Sequence, residues 1–163
     1  MFKLNNWKAK IYWDDLKSVL INGILFALVG GALAGLLDYL LAEVLGSWLV
    51  FGIFIISALV GRQVSKTYYN YHILYPVLSI VFMFIGLFSS MFMYLGMLTR
   101  SLDFVIYLLG MPETYLSFII GPFYNLILTI KSFDLFELFM SIFNSIMYIS
   151  AFITCYKMIK GRN

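Results

Sequence analysis

Four stretches of this chain, residues 18–42, 47–64, 75–98 and 138–156, carry almost no charge and approach the length that a helix needs to cross a bilayer. The hydrocarbon core is about 30 Å thick and a helix rises about 1.5 Å per residue, so about 20 apolar residues suffice. Lipid offers no water to backbone N–H and C=O groups, and uniformly apolar runs of this kind satisfy them internally as helices. The expected fold is therefore all-α: a polytopic membrane bundle of four transmembrane helices, or five if residues 114–130 also cross. Composition agrees. The chain is 63% apolar and 12% charged, against about a quarter charged in soluble domains. Four helices and their connections consume most of the 163 residues. One integral membrane domain, 1–163, is expected, with no second soluble domain.

The stretch 101–137 is less regular. Phe104 to Gly110 is too short to cross, and Thr114 to Ile130 carries Gly121 and Pro122 near its middle. Ser117, Gly121, Asn125 and Thr129 recur at intervals of four, forming one small or polar stripe on a helix. The charges choose between the layouts. With four crossings, both termini are cytoplasmic and Lys3, Lys8, Lys10, Lys17, Arg62, Lys66, Lys157, Lys160 and Arg162 all lie inside, leaving only Arg100 and Lys131 outside. A fifth crossing would put the basic tail outside, against the positive-inside bias. Residues 101–137 are accordingly expected to form two short helices, interrupted at Gly110 to Glu113, on or dipping into the outer leaflet. Tyrosines and tryptophans fit the same layout. Trp7, Trp13, Tyr68, Tyr69 and Tyr71 would make an inner belt, and Tyr39, Trp48, Tyr94, Tyr107 and Tyr115 an outer one.

The first 17 residues read as an interfacial segment rich in lysine and tryptophan. Ala32 to Gly35 imitates a signal-peptide cleavage site, but the apolar run continues beyond it and Asp14 and Asp15 interrupt the basic leader, so cleavage is not expected. A single cysteine, Cys155, rules out an intramolecular disulfide and a cysteine metal cluster. The net charge of +3 follows from basic residues at the ends of apolar runs and does not point to nucleic acid. Abundant Phe, Ile, Tyr, Asn and Met favour a bacterial source, and hence the bacterial cytoplasmic membrane.

Two kinds of residue stand out as candidates for function. Gly23, Ala27, Gly31 and Gly35 repeat at intervals of four, giving helix 18–42 a small face along which another helix, or a second copy, can approach closely. Counterpart small residues are Gly52, Ser57 and Gly61, then Gly86 and Ser90, and then Ser141, Ser145, Ala151 and Cys155. The second kind is ionisable. Asp38 lies about 30 Å along the helix from Ser18, at the outer boundary of the hydrocarbon, where it either meets water or forms a polar pocket beneath 101–137. With Asn144 and Asn125 it makes up the candidate binding set. Under four crossings Asp38, Glu43, Asp103, Glu113, Asp134 and Glu137 all face outward, six of eight acids. Asn22 and Asn144 suit interhelical hydrogen bonds, and His72 stands alone in a tyrosine-rich loop. No HExxH, GxSxG or phosphate loop occurs, so no catalytic residue, metal or cofactor is assigned.

Leu28 to Leu41, LVGGALAGLLDYLL, resembles the glycine-rich helix with a trailing aspartate in the membrane-embedded substrate-binding subunits of energy-coupling-factor vitamin importers. Those subunits normally have six helices, whereas this chain has room for four or five, and no family is assigned. The expected function is that of a small non-enzymatic interaction or accessory protein. Its partners would be the lipid bilayer and either another membrane protein or a second copy. The alternative is a small transporter or channel component with a substrate or cation entrance at Asp38 and residues 110–122.

Overall fold

The computed structural model describes residues 11–45, 51–132 and 135–161. Among them six helices form and no strand: α1 (Trp13–Leu45), α2 (Gly52–Thr67), α3 (Leu74–Thr99), α4 (Leu102–Leu109), α5 (Pro112–Ser132) and α6 (Leu135–Lys160). Three of them, over Trp13–Val44, Leu74–Thr99 and Leu135–Lys160, are long and apolar enough to cross a membrane. The second apolar run supplies less. Its helix α2 has 16 residues, about 24 Å at the usual rise, and residues 47–50 of the expected span lie outside the described residues.

Local chemistry sets several boundaries. α1 begins at Trp13, earlier than the apolar pattern alone suggests, because Asp14 and Asp15 occupy its first turn, where carboxylates complement the positive helix terminus. Much of the described part of the expected interfacial segment is thus the first turn of α1. Pro76 sits in the opening turn of α3 and Pro112 opens α5, positions where the missing N–H costs little. α3 stops at Arg100, which adopts a left-handed conformation and donates its backbone N–H to the Gly96 carbonyl at 3.0 Å. Ser101 then caps α4 by accepting from the Phe104 N–H at 3.4 Å. The expected interruption falls at Gly110 and Met111. The second helix of the pair is not short, however: α5 runs unbroken through Gly121 and Pro122 for 21 residues, about 31 Å.

Helices α1, α2, α3 and α6 pack around one core built from Val19, Ala27, Ile53, Ile56, Val60, Phe82, Met83, Tyr148, Ala151 and Cys155, among others. The residues that meet define their directions. Gly23 faces Phe82, Gly31 faces Gly86, Gly35 faces Ser90 and Tyr39 meets Tyr94, so α1 and α3 run parallel. Gly52 faces Ala34 and Gly30 faces Ile56, which makes α2 antiparallel to both. Ser57 bonds to Ala151 and Gly61 faces Cys155, so α6 runs with α2. α2 and α3 lie between α1 and α6, while α5 packs on α6 and touches α3 and α4.

The α1–α3 seam is a close approach of two backbones. A Cβ built on Gly31 would collide with the backbone carbonyl of Gly86, and one on Gly35 with that of Ser90. The Ser89 hydroxyl crosses the same seam to donate to the Leu28 carbonyl at 2.7 Å. Gly23, Ala27, Gly31 and Gly35 are all buried in this way against the chain's own helices, leaving that face no area for a second copy. The outward faces carry apolar side chains instead: Leu25, Leu28 and Val29 on α1, Val81 on α3, and Phe139, Ile146 and Ile149 on α6 are each exposed. Helices that are apolar on both inner and outer faces suit a lipid solvent.

Candidate functional site

Asp38 projects from α1 toward the start of α2. Its Oδ1 accepts a hydrogen bond from the Gly52 N–H at 2.8 Å, and the Phe51 backbone is a second partner. The opening turn of any helix leaves N–H groups without intrahelical acceptors, a need normally met by a Ser, Thr, Asp or Asn at the cap. Phe51 holds the cap position of α2 and has no side-chain acceptor. Asp38 therefore caps α2 from the neighbouring helix, and its negative charge sits at the positive end of the α2 dipole. Gly52 makes room for this contact: a Cβ there would lie 2.7 Å from Asp38 Oδ2 and 2.6 Å from the Ala34 carbonyl oxygen. Tyr39 and Tyr94 pack edge to face beside it with ring centroids 6.2 Å apart. Tyr94 and Tyr148 lie within the field of the carboxylate.

The remaining candidates are placed as follows. Asn144 is half-buried on α6, one turn before Tyr148. Asn125 lies on α5, but its side chain is outside the described residues, as are those of Ser117 and Pro122. On the same stripe Gly121 has nothing within 4 Å of a built Cβ, while Thr129 is buried and its hydroxyl donates to the Leu126 carbonyl at 3.2 Å. Among the described residues Asn22 makes no hydrogen bond to another helix. Its Nδ2 donates to the Ser18 carbonyl at 2.8 Å, within α1.

A second acid at the opposite end of α1 escapes the sequence reading. Asp15 is buried, and its Oδ2 accepts from the Asn70 backbone N–H at 3.0 Å and from Asn70 Nδ2 at 3.5 Å. It holds the α2–α3 turn as Asp38 holds the start of α2. Around it stands a cluster of rings. Tyr68 packs on Tyr75 at 5.0 Å and donates its hydroxyl to the Ile159 carbonyl of α6. Tyr68 is buried and so does not belong to the inner aromatic belt, because its hydroxyl is engaged between helices. His72 is buried too, with Nδ1 accepting from the Leu74 N–H at 3.1 Å, which leaves its proton on Nε2 when the ring is neutral. Burial, and then the neighbouring Tyr156, raise the pKa of the Tyr71 phenol. The Tyr75 hydroxyl is fully buried and, among the described residues, has no hydrogen-bond partner.

These contacts sort the charges by end. Asp15 ties the first turn of α1 to the α2–α3 turn, and Tyr68 ties that turn to the last turn of α6. Lys17, Arg62, Lys66, Lys157 and Lys160 consequently share one end with Asp14 and Asp15. The other end carries Asp38, Glu43, Asp103 and Glu137, together with Arg100. Lys3, Lys8, Lys10, Asp134 and Arg162, like Trp7 and Trp48, lie outside the described residues. Among the described residues no group of three or more His, Cys, Asp or Glu side chains is arranged to hold a metal ion. Compared with protein-family models, curated proteins and solved structures, the chain matches none of them.

Proposed function

We propose that this chain is a small, non-enzymatic bundle of the bacterial cytoplasmic membrane that serves as an accessory or assembly subunit of a larger membrane complex. The observation that carries the reading is where the buried polar groups go. Asp38 serves the Gly52 N–H, Asp15 the Asn70 N–H, Ser57 the Ala151 carbonyl and Tyr68 the Ile159 carbonyl. Each one fastens the chain to itself, and the outer faces present apolar surface.

Four crossings, by α1, α2, α3 and α6, with both termini cytoplasmic, go with this reading. The end shared by Lys17, Arg62, Lys66, Lys157 and Lys160 is the cytoplasmic one under the positive-inside rule. Parity supports the count. α3 ends and α6 begins at the opposite, acidic end, so the connection between them returns to the side it left. α4 has 8 residues, about 12 Å of helix, too little to carry the chain back across a core of about 30 Å before a crossing α5. α5 then rests in the outer leaflet against α6.

A second reading, a transporter or channel component entered at Asp38, draws on the half-buried carboxylate and the nearby Tyr94 and Tyr148. Flux measurements on proteoliposomes, combined with cross-linking in native membranes, separate the two. The accessory reading expects no cation flux above protein-free vesicles, and stoichiometric cross-links from α5 or α6 to one other integral membrane protein. A cation flux abolished by Asp38→Asn would overturn it in favour of transport. A reporter fused to the C-terminus tests the topology independently, and an external location would sink the four-crossing arrangement.

A further inference from the structure

We infer that the basic end of the bundle binds the headgroups of anionic phospholipids. The inference rests on the proposed topology only for which leaflet supplies them. Lys17 on α1, Arg62 and Lys66 on α2 and Lys157 on α6 are exposed, and among the described residues none of the four forms an ion pair. Asp15, the buried acid at this end, is engaged by Asn70. Against these four cations on three helices Asp14 is the one exposed acid described at this end, so the surface stays net positive, a field that recruits its counter-ions from outside.

The depth of these residues selects a headgroup over a soluble anion. Arg62 stands more than a turn before the end of α2 and Lys157 nearly a turn before the end of α6. Long basic side chains at such positions lay their aliphatic stems along the helix and carry their charged ends to the interface. Trp13 and Tyr69, 80% and 96% exposed at the same end, are the ring types that settle at headgroup depth. Arginine suits phosphate because its fork donates two parallel hydrogen bonds. The lipid's net charge also matters. A zwitterionic headgroup brings an ammonium that cancels its phosphate, whereas an anionic one neutralises an unpaired cation.

Native mass spectrometry of the full chain in mild detergent, titrated with phosphatidylglycerol or phosphatidylcholine of matched acyl chains, tests this. The wild-type chain is expected to retain phosphatidylglycerol with a preference on the order of tenfold. A triple variant, Arg62→Gln with Lys66→Gln and Lys157→Gln, is expected to lose that preference while keeping its helical circular dichroism. A Glu43→Gln control, made at the acidic end, should behave as wild type. Equal retention of the two lipids by the wild-type chain overturns the inference, as does an undiminished preference in the triple variant. Because the measurement is made in detergent, it does not depend on orientation in the cell. An external C-terminus would refute the topology and leave the lipid contact standing, and the converse also holds.

Discussion

At the scale of single residues, two aspartates on one helix do the same work at opposite ends, each accepting from backbone N–H groups of a turn that follows in sequence. Removing the acceptor at Asp38 leaves the first turn of α2 uncapped. Asp38→Leu should cost about 1–2 kcal/mol, the usual range for a lost cap, while Asp38→Asn, which keeps an acceptor, should cost less. Thermal melting by circular dichroism in detergent measures both. If the asparagine variant melts no higher than the leucine variant, capping is not the role of Asp38. Two tyrosines offer a sharper contrast. Tyr68→Phe strands the Ile159 carbonyl and should destabilise by about 1–3 kcal/mol. Tyr75→Phe removes a buried hydroxyl that has no partner among the described residues, so it should leave the melting temperature unchanged or raise it. Neither role was legible in the sequence. The partner of Asp38 is a backbone group, which no residue letter encodes, and Asp15 and Asn70 meet across 55 positions. One clue was available: Phe51 heads a helix without a capping side chain, so its acceptor had to come from elsewhere.

At the scale of elements, the apolar runs are what the sequence makes plain. Residues 18–42, 75–98 and 138–156 each fall within one long helix, because nothing but helical hydrogen bonding satisfies a backbone so poor in polar side chains. Residues 101–137 are less readable, since Gly121 and Pro122 break helices in some settings and are tolerated in others; here α5 passes through both. The glycines of the two regions differ in consequence. Gly31→Ala pushes a methyl into the Gly86 carbonyl and should destabilise by about 1–3 kcal/mol. Gly121→Ala meets nothing within 4 Å and should be neutral, or stabilising by up to about 1 kcal/mol from helix propensity. Matched melting curves decide the pair, and equal effects would mean that the seam is looser than its geometry. Cysteine labelling tests the course of α5. Glu113→Cys and Glu137→Cys should both react from the outer side of the membrane, against a low background from the buried Cys155. Reaction of the two from opposite sides would show that α5 crosses.

At the scale of the whole molecule, the parallel pairing of α1 with α3 has a consequence for biogenesis. The chain leaves the ribosome from its N-terminus, so α1 enters the membrane before the helix that covers its glycine face has been made. α2 comes between them and can dock early, because Asp38 reaches its first turn across a short connection. Gly31 and Gly35 meet Gly86 and Ser90 only after α3 has followed, and until then a groove of bare backbone faces lipid or the insertion machinery. A chain halted after α2 should therefore be the most protease-sensitive intermediate, with protection of α1 appearing once residues up to about Thr99 have cleared the exit tunnel. The glycine seam of the finished bundle thus closes only once a third helix has been made, after the α1–α2 contact and before α6 arrives.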